Sequence, residues 1–165
     1  MLRARGPPRY RGAMASRLVS ESTTIGAPPS HVFAILADPR QHPRIDGSGS
    51  VRDTIRGPER LAKGAVFGVS MKLFGLPYQV SHRVVEFEED RLIAWRHWAG
   101  HRWRYELQPV GEGCRVTESF DYRPYGALRS AFITALGFPD RNRRGITATL
   151  ARLKTVAEAA AAAAG

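Results

Sequence analysis

Between Val51 and Tyr122 the chain repeats one kind of segment six times: a short run rich in β-branched and aromatic residues, closed by a brief turn. The runs are Val51–Arg56, Ala65–Lys72, Tyr78–Glu88, Arg91–Trp98, His101–Val110 and Cys114–Tyr122. The turns between them, such as Glu89-Asp90, Ala99-Gly100 and Gly111-Glu112-Gly113, are too short for a parallel crossover, which needs a dozen or more residues. Runs joined this way predict an antiparallel meander.

The flanks complete the pattern. Val19–Ile25 reads as a first strand, with Val19, Glu21, Thr23 and Ile25 on one face. Gly26-Ala27-Pro28-Pro29 ends it, and Val32, Phe33 and Leu36 predict a short helix over Pro29–Ala37. Asp38-Pro39 stops that helix, and Pro39–Pro43 predicts a second short turn or helix. Asp46-Gly47-Ser48-Gly49-Ser50 reads as a flexible loop. After the meander, Leu128, Phe132, Ile133 and Leu136 form one apolar stripe, interrupted at Gly137-Phe138-Pro139. Ile146, Leu150, Leu153 and Ala157 then recur at spacings of four, three and four, which predicts a long amphipathic helix. A curved sheet with one apolar face needs a cover, and this helix is the long element available. The fold class is α+β: a curved antiparallel sheet wrapped around a long C-terminal helix. Such packing leaves space between the two.

A chain of 165 residues fits one domain, placed at residues 19–160. No apolar run approaches the ~20 residues of a membrane span. The one cysteine, Cys114, excludes an intramolecular disulfide and fits a cytoplasmic location. The histidines at 31, 42, 82, 97 and 101 show no zinc spacing, so neither a metal nor a cofactor is expected. His31, in the first turn of its helix, reads as exposed. Net charge is +10; Arg3, Arg5, Arg9, Arg11 and Arg17, with no acid among the first 18 residues, hold five of those charges, leaving +5 on the rest. Residues 1–18 read as a disordered basic extension, with Met14 as an internal start.

The element order resembles the START-like (SRPBCC) superfamily, in particular its bacterial polyketide cyclase/dehydrase and lipid-transport group. Four segments carry the resemblance: Ile25-Gly26-Ala27-Pro28-Pro29-Ser30-His31-Val32-Phe33, Leu36-Ala37-Asp38-Pro39 with Pro43, Gly113-Cys114-Arg115-Val116-Thr117-Glu118, and Leu150-Ala151-Arg152-Leu153-Lys154. It covers about Val19 to Glu158 and implies a helix-grip fold with two short helices after the first strand. The group often carries a tryptophan where this chain has Ile45-Asp46-Gly47, which implies a more polar cavity mouth. The group's members include carriers and cyclases, so the fold does not choose between them.

Alternation sorts the strands into faces. Trp103, Tyr105 and Leu107 point together, opposite Arg102, Arg104 and Glu106; Val116, Glu118, Phe120 and Tyr122 share a face. Glu118 is then a carboxylate among aromatics, whose pKa burial raises unless an arginine pairs with it. Trp95 and His97 lie together, and His82 falls between Val80 and Val84. The expected ligand-binding set is Met71, Phe74, Tyr78, His82, Trp95, His97, Trp103, Tyr105, Glu118, Phe120, Phe132 and Leu136. His42 and Asp46 flank Pro43 at the expected mouth, where a His–Asp pair would polarise a substrate oxygen. His97 and Glu118 are the catalytic candidates. Arg141, Arg143 and Arg144 cluster before the long helix, and Arg102, Arg104 and Arg115 fall on the convex face.

The leading reading is a protein that binds a hydrophobic small molecule, such as a lipid, polyketide, quinone or steroid-like compound, in an internal cavity. A cyclase- or dehydratase-type enzyme using polar cavity residues is the alternative. Binding of nucleic acid or an anionic membrane through the basic surface stands third. Transient membrane-surface contact is compatible with the first reading, whereas nucleic acid is not an expected partner. The sequence leaves oligomeric state open.

Overall fold

The structure is a computed structural model that describes residues 17–73 and 75–164. The strands are β1 (Leu18–Ile25), β2 (Val51–Arg56), β3 (Val66–Leu73), β4 (Leu76–Glu88), β5 (Leu92–His97), β6 (Arg102–Val110) and β7 (Gly113–Asp121). The helices are α1 (Pro29–Ala37), α2 (His42–Ile45), α3 (Ala127–Ala135) and α4 (Phe138–Ala164), with one 3-10 turn at Pro39–Gln41. The basic extension expected over residues 1–18 and the candidate Phe74 fall outside the described residues, except for Arg17 and Leu18.

All strands pair antiparallel in the order β1-β7-β6-β5-β4-β3-β2. Each neighbour from β2 to β7 is the next strand in sequence, as the short turns require. β1 closes on β7, in register from Leu18 opposite Asp121 to Ile25 opposite Cys114. The sheet is curved and open: β1 and β2 are its edges. This is the helix-grip architecture.

Local chemistry explains the connection between those edges. Pro29 occupies the first turn of α1, where a missing N–H costs nothing. The helix buries Val32, Phe33, Ile35, Leu36 and Ala37. It ends at Asp38, extended at φ −98° and ψ 104°, because the residue before a proline is driven from the helical region. Asp38 then accepts a hydrogen bond from the Arg40 amide (3.0 Å) and caps the 3-10 turn.

α4 lies across the concave face and buries Ile146, Thr149, Leu150, Leu153 and Ala157. Polar bonds fix it beside β1. Lys154 donates to the Thr24 carbonyl (2.8 Å), the Glu158 carboxylate accepts from the Gly26 amide (2.7 Å), and Arg143 pairs with Glu21 (2.5 Å). The helix begins at Phe138, earlier than the sequence pattern suggests. The break falls at Gly137, left-handed at φ 71°, and Pro139 sits in the first turn of α4.

On the convex face Arg102 and Arg104 project as alternation requires, but each is neutralised. Arg102 binds Asp121 (2.8 Å) and Glu86 (3.3 Å); Arg104 binds Glu106 (2.6 Å) and Glu86 (3.4 Å). Arg123 completes the cluster at Asp121 (2.8 Å), and its hydrogen bond, ahead of that from Arg102, draws the Asp121 carboxyl down to about 2.

Candidate functional site

Between α4 and the sheet lies a cavity of about 250 Å³. Period-2 alternation aims Trp95 and His97 of β5, Trp103 and Tyr105 of β6, and Glu118 and Phe120 of β7 into it. From β3 come Phe67, Val69 and Met71, and from β4 Tyr78 and His82. Trp95 stacks on His42 with ring centres 4.9 Å apart and stands edge-on to Phe67 at 5.7 Å. Phe120 packs against Trp103 at 4.8 Å. The deeper wall is therefore aromatic. Met71 and Trp103 are half-buried, and Tyr78, Asp46, Ser50 and Arg141 stand nearer solvent.

The cavity contains four imidazoles. His97 and His101 stack face to face at 4.5 Å, and His82 approaches His97 at 5.6 Å. Burial lowers the pKa of all four; His82 and His101 fall to about 3, with the neighbouring histidines adding to the effect. They are neutral at pH 7, and their tautomers follow from their partners. His97 Nδ1 accepts from the Ala99 amide (2.9 Å), so its proton is on Nε2. His42 Nε2 faces the Leu36 carbonyl (2.9 Å), which only accepts, so Nε2 carries the proton and Nδ1 is bare. His101 Nδ1 shares a hydrogen with the Tyr125 hydroxyl (2.6 Å).

Glu118 is 3% exposed and has no arginine partner among the described residues. Desolvation raises its pKa to about 8, against the opposing hydrogen bond from Tyr105. The same burial, with Glu118 beside it, pushes the Tyr105 hydroxyl well above 10. The pair is thus a neutral acid and a neutral phenol at pH 7. Glu118 Oε2 and His82 Nδ1 are buried without a hydrogen-bond partner among the described residues. Orphaned atoms of this kind cost about 1–3 kcal/mol each, and they are the polar groups that a bound molecule would satisfy. Among the described residues no three His, Cys, Asp or Glu side chains converge as a metal site.

Four expectations need correction. His42 is buried under Trp95, away from the mouth, and its Nε2 is bonded to Leu36 rather than to Asp46. Asp46 instead orders its own loop: its carboxylate accepts from the Ser48 amide (3.0 Å), the Ser48 hydroxyl (2.7 Å) and the Val51 amide (2.9 Å). That loop is consequently built rather than flexible, with the Gly47 amide donating to Thr149 Oγ1 of α4 (2.9 Å). Phe132 and Leu136 do not line the cavity; they face solvent, and α3 contributes Ile133 instead. His31 is half-buried, not exposed.

His101 and Tyr125 were not among the expected residues. His101 had a readable signal: it lies across the tight turn from His97, whose amide donates to the His101 carbonyl (3.0 Å). Tyr125 follows β7 in irregular chain and carries no period to read.

The family described as "Polyketide cyclase / dehydrase and lipid transport" matches residues 16–158. The uncharacterized protein Rv0088 of Mycobacterium tuberculosis is 46% identical over 138 residues, which are 82% of this chain and 62% of that protein. The chain therefore spans less than two thirds of the length of that relative. Among solved structures, protein Ms6760 of Mycobacterium smegmatis aligns at TM-score 0.65 and 17% identity, over 88% of this chain and 96% of its own. Protein NE0264 of Nitrosomonas europaea aligns at TM-score 0.67 and 16% identity, over 90% and 98%. At these identities the structures speak for the fold; the family match over residues 16–158 goes further, and by it the chain belongs to the polyketide cyclase/dehydrase and lipid-transport family, a START-like group.

Proposed function

We propose that the cavity binds an uncharged, mainly apolar small molecule that carries at least one oxygen acceptor. The carrying observation is the neutral, aromatic interior with two orphaned polar atoms, Glu118 Oε2 and His82 Nδ1. Aromatic walls supply apolar contact, and a few convergent polar groups fix orientation. Among the described residues an anionic ligand finds no buried cation there: the imidazoles are held neutral, and Arg141, which lines the cavity, is only half-buried. A carbonyl, ester or hydroxyl oxygen fits the protonated Glu118 as donor. Met71, Tyr78, His82, Trp95, His97, Trp103, Tyr105, Glu118 and Phe120 are the binding residues in this reading.

Native mass spectrometry of the purified protein, followed by organic extraction, is expected to release a neutral hydrophobic compound. Titration with the neutral dye Nile red is expected to saturate one site, and Trp103→Ala to weaken it about tenfold or more. A protein that carries no compound and does not bind Nile red would sink the reading.

A second reading has its own support. Glu118 near pKa 8, hydrogen-bonded to Tyr105, is suited to general acid–base work on a bound carbonyl compound. Under it, Glu118→Gln abolishes turnover of the extracted compound and leaves its affinity within about threefold. Equal loss of both returns Glu118 to a binding role.

A further inference from the structure

α3 is amphipathic in the wrong sense. Its buried residue is Ser130, whose hydroxyl reaches the Tyr125 carbonyl, while Leu128, Phe132 and Leu136 face water at 90%, 64% and 57% exposure. These three are spaced i, i+4, i+8 and form one stripe along the helix. Arg129 anchors the start of the helix by donating to the Ala99 carbonyl (3.1 Å) and lying over the Tyr125 ring at 4.0 Å. That anchor sets the helix beside the β5–β6 turn, where Trp98 is 80% exposed. A soluble surface does not gather such residues without use.

The charge around the stripe says what covers it. From Ala127 to Arg144 the chain carries Arg129, Arg141, Arg143 and Arg144 against Asp140, and Arg143 is paired with Glu21 of β1, which leaves a net charge of +2 on this part of the surface. The stripe also adjoins the cavity, since Ile133 of α3 and Phe138 at the start of α4 both line it. The geometry points to an anionic lipid bilayer as the partner: Leu128, Phe132, Leu136 and Trp98 enter the headgroup boundary, and the exposed Arg129 and Arg144 meet lipid phosphates. Apolar face, cationic flank and an interfacial tryptophan are what such a surface needs. Docked this way, the protein holds its cavity against the membrane. The surface functions whatever the cavity contains, and the Nile red titration reads the cavity separately.

The test is flotation of the full chain with vesicles of phosphatidylglycerol and phosphatidylcholine in equal parts, beside vesicles of phosphatidylcholine alone. The protein is expected to float with the anionic vesicles, and to be released as salt rises from about 0.1 M to about 1 M. Leu128→Asp with Phe132→Asp is expected to lower partitioning about a hundredfold, with thermal midpoint and Nile red affinity unchanged. Leu128→Ser alone, at the most exposed position, is expected to give about a tenfold loss and guards against any folding defect in the double variant. Flotation that survives the double substitution, or no flotation of the wild type, overturns the proposal. So does self-association that the same substitutions abolish, which would assign the stripe to a second copy of the chain.

Discussion

Glu118→Gln is expected to stabilise the protein above neutral pH and to remove most of the decline in stability that the wild type shows from about pH 6.5 to about pH 8. The buried carboxyl has a folded pKa of about 8 against 4.5 for the free group. Below pH 4.5 it is protonated in both states and costs nothing. Between the two values the unfolded chain loses its proton and the folded chain keeps it, so stability falls as pH rises. The full interval corresponds to at most about 5 kcal/mol. A buried glutamine amide gives back about 1–3 kcal/mol of this, which leaves a net gain of a few kcal/mol at pH 8. His82 and His101 act with the opposite sign. Their folded values of about 3 lie below 6.5, so their contribution is present above pH 6.5 and is lost as pH falls towards 3. Stability of the wild type should thus peak near pH 6.5. Urea denaturation of both proteins across that range measures it; parallel profiles would show that Glu118 does not titrate there. Ligand affinity should fall above pH 8 in the wild type alone, since the cavity then gains a negative charge.

Gly47→Ala is the second large effect. A Cβ at this position would lie 2.2 Å from the Thr149 amide nitrogen and 2.4 Å from the Ala148 carbonyl carbon. Both are helix backbone, which cannot rotate away. The loop must lift from α4, and the Gly47–Thr149 hydrogen bond goes with it. The expected cost is about 3 kcal/mol, a drop of about 10 °C in thermal midpoint, with weaker ligand binding because Asp46 and Ser48 line the cavity. Gly49→Ala is the contrast. Gly49 is left-handed at φ 67° with open space around it, so alanine costs about 1 kcal/mol. Equal effects at the two positions would mean that the close approach to α4 does not matter.

These two positions mark the limits of reading the sequence. Alternation is legible where short hairpins hold the register, so Trp95, Trp103, Tyr105 and Glu118 fall on one face by their spacing and line one cavity. The β4–β5 register shift between Val84 and Glu86 lies beyond His82 and leaves the His82–His97 pairing intact. A shift before His82 would have turned it outward. The Gly47 contact was not legible, because glycine and serine in a row look like slack chain until a helix is laid against them. In α3 the sequence shows the period and not the direction. A stripe at helical spacing says that one side is apolar, but the side that finds a partner is set by Ser130, Arg129 and their bonds to Tyr125 and Ala99.

The pairing of β1 with β7 has a kinetic consequence. Every other ladder in the sheet is a local hairpin, whereas Leu18 must wait for Asp121. A chain leaving the ribosome can form the hairpins from β2 to β6 as they emerge. Its first strand and α1 have no edge to join until β7 is complete, and the Lys154 and Glu158 clasps on β1 come later still. Closing that long loop sets the slow step of folding. A pause in synthesis between β6 and β7 leaves the apolar concave face uncovered with an unpaired edge beside it, the state from which such a chain aggregates.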